Sequence, residues 1–295
     1  MTVQTKSPHP EAGGIVVRAI PFAFDENIKP IWNPEKPEWS HMANGASLTM
    51  PYLEPFLIKT VREALKNTGN KQLKDDVQGF MAQEGNHFQN HRRYNEILKS
   101  HYPDLADVED EMTAEYKKFQ KRSLRWRLAY TAGFETMTMG ITEWLIEDRR
   151  SLFKDADPSV SSLILWHMVE ETEHKNVAYD LYQDLFGSYW PRTWGLIYGA
   201  WHVAWSSRKG YKRMLKRDGL WAKLSSRMRL YKMVAQFFIK VSPAMLRSLV
   251  PGYHPSKIND PNWISHWTKA YADLPENIIP LLDTSDPDIP AQFSR

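Results

Sequence analysis

Apolar residues recur every three or four positions over long stretches of this chain, and strict alternation never lasts more than a few residues. Met50, Glu54, Leu57, Ile58, Val61 and Leu65 share one face of a helix that begins near Pro51 and ends at Asn67–Asn70. A second helix runs from about Gln72 to Ser100, with Val77, Phe80, Glu84, His87, His91, Tyr94 and Leu98 facing inward. A third, allowing a break, spans about Leu105 to Arg150, and its stripe includes Leu128, Thr131, Glu135, Thr138 and Thr142. The turn Asp155–Pro158 signals the start of a fourth, about Ser159 to Leu185, facing inward with Leu163, His167, Glu170, Glu171, His174 and Ala178. Two or three further helices follow Gly187 and end near Pro251, and a short one covers about Trp263 to Ala272. The pattern predicts an all-α chain: an extended, proline-punctuated arm over 1–40, a four-helix bundle over 41–187, and an aromatic-rich helical extension over 188–295.

Charge sharpens this division. The net charge of +3 conceals a segment, 187–240, with twelve Lys/Arg and a single acid, Asp218. The remainder is net negative, so the acids belong to the bundle and the basic face is expected to meet something anionic. Trp190, Trp194, Trp201 and Trp205 precede the basic run Arg208–Arg217. That pairing suits peripheral contact with anionic lipid through 190–217, or else a core helix with a solvated basic face. The apolar run is too short to span a bilayer, and no recognition motif points to nucleic acid. The chain has no cysteine, which excludes thiolate metal sites, disulfides and cysteine nucleophiles. The first 14 residues have no apolar core, so a cytoplasmic location is expected.

The candidate chemistry lies where polar residues interrupt apolar stripes. Glu84, His87 and His91 share a helix face, and so do His167, Glu171 and His174. A carboxylate buried without a partner is costly unless it is paired or bound to a metal. Each Glu-x-x-His follows a helix with one inward acid: Glu54 before Glu84-x-x-His87, and Glu135 before Glu171-x-x-His174. One Glu from each of two helices plus Glu-x-x-His from each of two others is the ligand set of two-metal carboxylate bundles. The expected ligands are Glu54, Glu84, His87, His91, Glu135, His167, Glu171 and His174, with His91 and His167 either binding directly or standing behind a ligand. Glu170 is placed to orient His174, and His254 reads as structural. The small residues Thr131, Ala132, Gly133, Thr136, Thr138 and Gly140 would leave substrate space, or else permit close helix packing. A buried ion-pair network is the alternative to a metal centre.

Several pieces resemble a ferritin-like group, the predicted metal-dependent hydrolases. They are Gln83-Glu84-x-x-His87-x-x-x-His91, Leu128-x-x-Thr131-x-x-x-Glu135, His167-x-x-Glu170-Glu171-x-Glu173-His174-Lys175 with Ala178-x-Asp180, and Pro251-Gly-Tyr-His254-Pro255. The resemblance covers about residues 40–270 and implies a ferritin-like four-helix bundle. The fourth helix is also similar to the p-aminobenzoate N-oxygenase group, in which an extra histidine one turn before Glu-x-x-His joins the di-iron site; His167 stands there. That similarity implies O₂ activation and oxygenation of a small substrate. The chain departs from the first family at Leu53-Glu54-Pro55-Phe56-Leu57, where Gly-Glu usually precedes two aromatics. Pro55 fits a first helical turn or a kink.

The expectation is a di-iron oxygenase that holds two iron ions (manganese or zinc as alternatives) and takes a small organic substrate, O₂ and electrons from an external donor. The alternatives are a two-metal hydrolase and a non-catalytic iron-binding bundle. The reading also allows a homodimer.

Overall fold

The structure is a computed structural model that describes residues 14–275 and 278–293. Its helices are α1 (Pro37–Ser47), α2 (Met50–Ala64), α3 (Lys71–His101), α4 (Leu105–Phe119), α5 (Leu124–Glu147), α6 (Arg149–Phe153), α7 (Pro158–His174), α8 (Val177–Leu185), α9 (Tyr189–Arg217), α10 (Leu224–Ser248) and α11 (Asn262–Ala272). The fold is all-α among the described residues. The starts of three bundle helices are written in their caps. Asn70 accepts from the Leu73 amide, Ser123 from Trp126, and Asp157 from Ser159 and Val160, with Pro158 in the first turn of α7. Each such cap satisfies amides that the helix itself cannot.

Helices α2, α3, α5 and the α7–α8 pair form the four-helix bundle. The third predicted helix is two helices, α4 and α5, joined at 120–123. The fourth is interrupted at Lys175–Asn176, immediately after His174. Helix α5 is buried all round from 127 to 140, because α9 and α10 close its outer side. Its glycines explain how closely they approach. A Cβ on Gly133 would lie 2.4 Å from the Leu196 backbone, and one on Gly195 only 2.2 Å from the Ala129 carbonyl oxygen. Gly140 similarly faces Val241 and Ala244 of α10. These small residues therefore serve helix packing; of the stretch expected to leave substrate space, Thr138 does line a cavity.

The predicted arm differs most from expectation. Pro37 opens a helix, α1, rather than continuing an extended chain, because proline is tolerated where no amide is needed. Residues 15–24 are extended and packed: Arg18, Ile20 and Phe22 are buried while Ala19, Pro21 and Ala23 face outward. Helix α3 supplies the missing backbone partners. Gln83, Asn86 and Asn90 donate side-chain amide hydrogen bonds to the carbonyls of Val16, Arg18 and Ile20. The start of the arm, 1–13, lies outside the described residues.

Candidate metal centre

Seven of the eight expected ligands converge in the middle of the bundle, each nearly or fully buried. They form two groups whose ligand atoms lie within 4.8 Å of one another: Glu54, His87 and His167, and Glu84, Glu135, Glu171 and His174. Two carboxylates of the second group also reach toward the first. Glu171 places Oε1 2.8 Å from His167 Nε2 and Oε2 3.1 Å from His174 Nε2. Glu84 Oε1 lies 3.2 Å from His174 Nε2 and 4.0 Å from His87 Nδ1. Pro55 sits within α2, one residue after Glu54, which is completely buried and 3.8 Å from His167.

Each imidazole is held by one nitrogen and turned inward by the other. Gln83 uses its amide hydrogens on Val16 and Glu173, so its oxygen accepts from His174 Nδ1 at 2.8 Å. His87 Nε2 contacts Glu170 Oε2 at 3.0 Å, leaving Nδ1 facing the carboxylates without a partner. Glu170 thus orients His87, whereas the sequence pattern places it to orient His174. The third arrangement takes up His91, expected to bind directly or to stand behind a ligand. Ser47 Oγ donates to Asn95 Oδ1 and accepts from His91 Nδ1 at 2.9 Å. His91 Nε2 then accepts from His167 Nδ1 at 2.8 Å, and His167 Nε2 is aimed at Glu171 and Glu54. With both ring nitrogens engaged, His91 stands behind His167 and fixes its tautomer.

The residues missed from sequence lie behind these histidines. Arg18 donates to Glu170 at 3.2 Å and to both oxygens of Glu173 at 2.8 and 2.6 Å. One guanidinium from the arm therefore steadies His87 through Glu170 and His174 through Glu173 and Gln83. The available signal was the alternation of large and small side chains from Arg18 to Phe24. Ser47 was hidden with the rest of α1 by the prolines around that helix; because Pro51 has no amide, the Ser47 carbonyl accepts from Asn95 Nδ2 at 3.0 Å instead. His254 is engaged by Asp180 at 2.7 Å and belongs to neither group.

The electrostatics ask for cations. Both carboxylate oxygens of Glu54, Glu84 and Glu135, and Nδ1 of His87, are buried without hydrogen-bond partners. Burial and the neighbouring carboxylates push Glu54 and Glu84 well above the usual carboxyl range. Burial, reinforced by Glu171, takes Glu135 up to about 8. Burial likewise takes Glu170 to about 8 against the pull of Arg18. Burial would raise Glu171 too, but His174 and His167 outweigh it and hold it well below the usual range. Burial acts against a proton on His174, yet Glu171 and Glu135 lift it well above an ordinary histidine. Once ionised, the four carboxylates would carry four negative charges, which two divalent cations would balance, and the orphaned oxygens and Nδ1 are hard and borderline donors suited to them. The residues present fit a two-metal centre.

An apolar cavity of about 370 Å³ ends at this centre, with His91 and His167 in its wall beside Thr138, Leu163 and Met168.

Comparison with known protein families decides what this arrangement belongs to. Residues 16–259 match the sequence profile of the predicted metal-dependent hydrolases. The chain belongs to that family. The match to the predicted metal-dependent hydrolases takes in the arm from Val16 onward and every residue of the centre, and it agrees with a metal-dependent enzyme. No curated protein and no solved structure matches the chain.

Proposed function

We propose that the protein is a di-iron oxygenase that uses O₂ to oxidise a small organic substrate held against the His167 side of the centre. The observation that carries this reading is the pair of shared carboxylates. With Glu84 and Glu171 counted for both positions, five protein groups face one metal position and four face the other. Closed zinc sites are tetrahedral and catalytic zinc keeps three protein ligands, whereas iron accepts six with open positions left over. Two ferrous ions there would supply electrons and open coordination positions to O₂. The balance is R–H + O₂ + 2 e⁻ + 2 H⁺ → R–OH + H₂O, with the two electrons from an external donor. The chain's own contribution is positional. Ser47 and His91 hold His167, Arg18 and Glu170 hold His87, and Gln83 holds His174. The apolar cavity keeps water from the reacting carbon and offers few groups to grip a scissile ester or phosphate.

The family description favours a second reading, metal-dependent hydrolysis, in which the same centre would activate water. Metal analysis with turnover assays separates them. About two irons per chain, with substrate-dependent O₂ consumption, is the expected result. Zinc together with ester or phosphoester cleavage under nitrogen would replace the oxygenase with the hydrolase. Iron uptake without any turnover would leave a storage or carrier bundle.

A further inference from the structure

The cavity that ends at His167 opens on the other side between α9 and α10. Trp201 and Trp205 of α9 and Tyr231 and Phe238 of α10 all line it, and all are about half exposed. A residue that lines a cavity and also faces solvent marks its mouth. Its volume falls in the range of ligand sites, about 300–1,000 Å³.

The surface around this mouth has two properties together. Trp190, Trp194, Ile197, Trp201 and Trp205 follow one another by three or four residues on α9 and are all exposed, Trp190 by 76 %. Leu224, Met228, Tyr231, Phe238 and Leu246 of α10 are exposed as well, and steps of about one or two turns keep them on one face. The apolar stripe of α9 continues into Arg208 and Lys212, and Arg208 itself lines the cavity. Arg208 lies over the Trp205 ring and Lys212 over Trp221; among the described residues neither has an acidic partner. The single acid of 187–240, Asp218, is occupied by His41 and Tyr102. Two copies of such a face would bring like charges together, whereas an anionic lipid surface complements it. Exposed tryptophans beside basic residues suit the headgroup boundary of a bilayer. No helix among the described residues is long and apolar enough to cross a membrane, so the contact at issue is with the surface.

We infer that α9 and α10 seat on an anionic bilayer, and that the cavity draws in an acyl chain from it, with its anionic head at Arg208 and its apolar tail pointing to His167. This names the substrate class for the proposed oxygenase and rests on that reading. A chain entering tail first between Trp205 and Phe238 would meet a mostly apolar wall on its way to the histidines.

Metal-loaded protein is tested by co-sedimentation with vesicles of phosphatidylcholine, alone or mixed with phosphatidylglycerol. Acyl binding is followed by displacement of a fluorescent long-chain fatty acid. Anionic vesicles should hold the protein about tenfold more strongly than neutral ones, and salt should weaken the contact. Trp201→Glu with Trp205→Glu should abolish sedimentation while metal content and helical circular dichroism stay unchanged. Ala204→Phe, at the mouth and away from the metal ligands, should weaken fatty-acid binding about tenfold and leave sedimentation intact. The inference is overturned if the wild type ignores anionic vesicles or if the double glutamate variant binds them unchanged. It is also overturned if the wild type is a dimer that this variant splits, which would give the face to a second copy. Metal content separates the two readings. Full metal with no lipid binding sinks this inference alone, and lipid binding without metal sinks the metal centre alone.

Discussion

Glu171 touches one imidazole with each carboxylate oxygen, so both proposed metal positions draw on it. Replacing it by alanine should remove at least one of the two metals, read by elemental analysis of purified protein; full metal content in Glu171→Ala would refute its assignment. Ser47 acts at a distance of two side chains. Its hydroxyl accepts from His91 while its proton goes to Asn95, and that direction determines which nitrogen of His167 faces the centre. In Ser47→Ala, His91 loses its acceptor and can rotate or change tautomer. Metal affinity should fall about 10–100-fold with the number of ions bound at saturation unchanged. An unaltered affinity in a chelator competition would show that the relay from Ser47 to His167 has no influence.

At the scale of elements, α5 holds the design together because it is enclosed by α2, α7, α8, α9 and α10. Its contact with α9 is backbone against backbone at Gly133 and Gly195, with no side chain there that could yield. Gly195→Leu should therefore destabilise the protein by about 3 kcal/mol or more, seen as a lowered denaturant midpoint. A substitution within about 0.5 kcal/mol of wild type would mean that the two helices can part there at little cost. Helix α5 also shows what was legible in the sequence. Glu135 was, because an acid in an apolar stripe is conspicuous, and so were the two Glu-x-x-His pairs, whose spacing alone puts both side chains on one face. The partner helices of Gly133 were not, since a small residue looks the same whether it faces a substrate or another backbone. Helix α1 was masked by the prolines around it, and with it went Ser47. Arg18 was obscured for another reason. Its backbone pairs with side-chain amides of α3 rather than with a second strand, so the usual companion of an extended segment is missing from the sequence.

For the whole molecule, the centre couples stability to pH and metal. Without metal, Glu135 and Glu170 at about 8 keep their protons when folded but lose them on unfolding at neutral pH. The folded state then binds more protons than the unfolded one, so stability falls as pH rises toward 8. His174, raised by its carboxylate partners, works in the same direction. His87 and His91, pushed down by burial, work oppositely, but their contribution fades above about pH 7, where unfolded histidines are already mostly neutral. The melting temperature of metal-free protein should therefore drop between about pH 7 and pH 8, and loading with divalent metal should flatten or reverse the trend. A metal-free melting temperature that climbs over that interval would contradict the burial of these acids. The clasp made by Arg18 extends this coupling to biosynthesis. Its carboxylate partners Glu170 and Glu173 lie 152 and 155 residues further on. During synthesis the segment carrying Arg18 has to wait for α7 before it can be fastened, so the hydrogen bonds that steady His87 and His174 from behind can close only once α7 has been made.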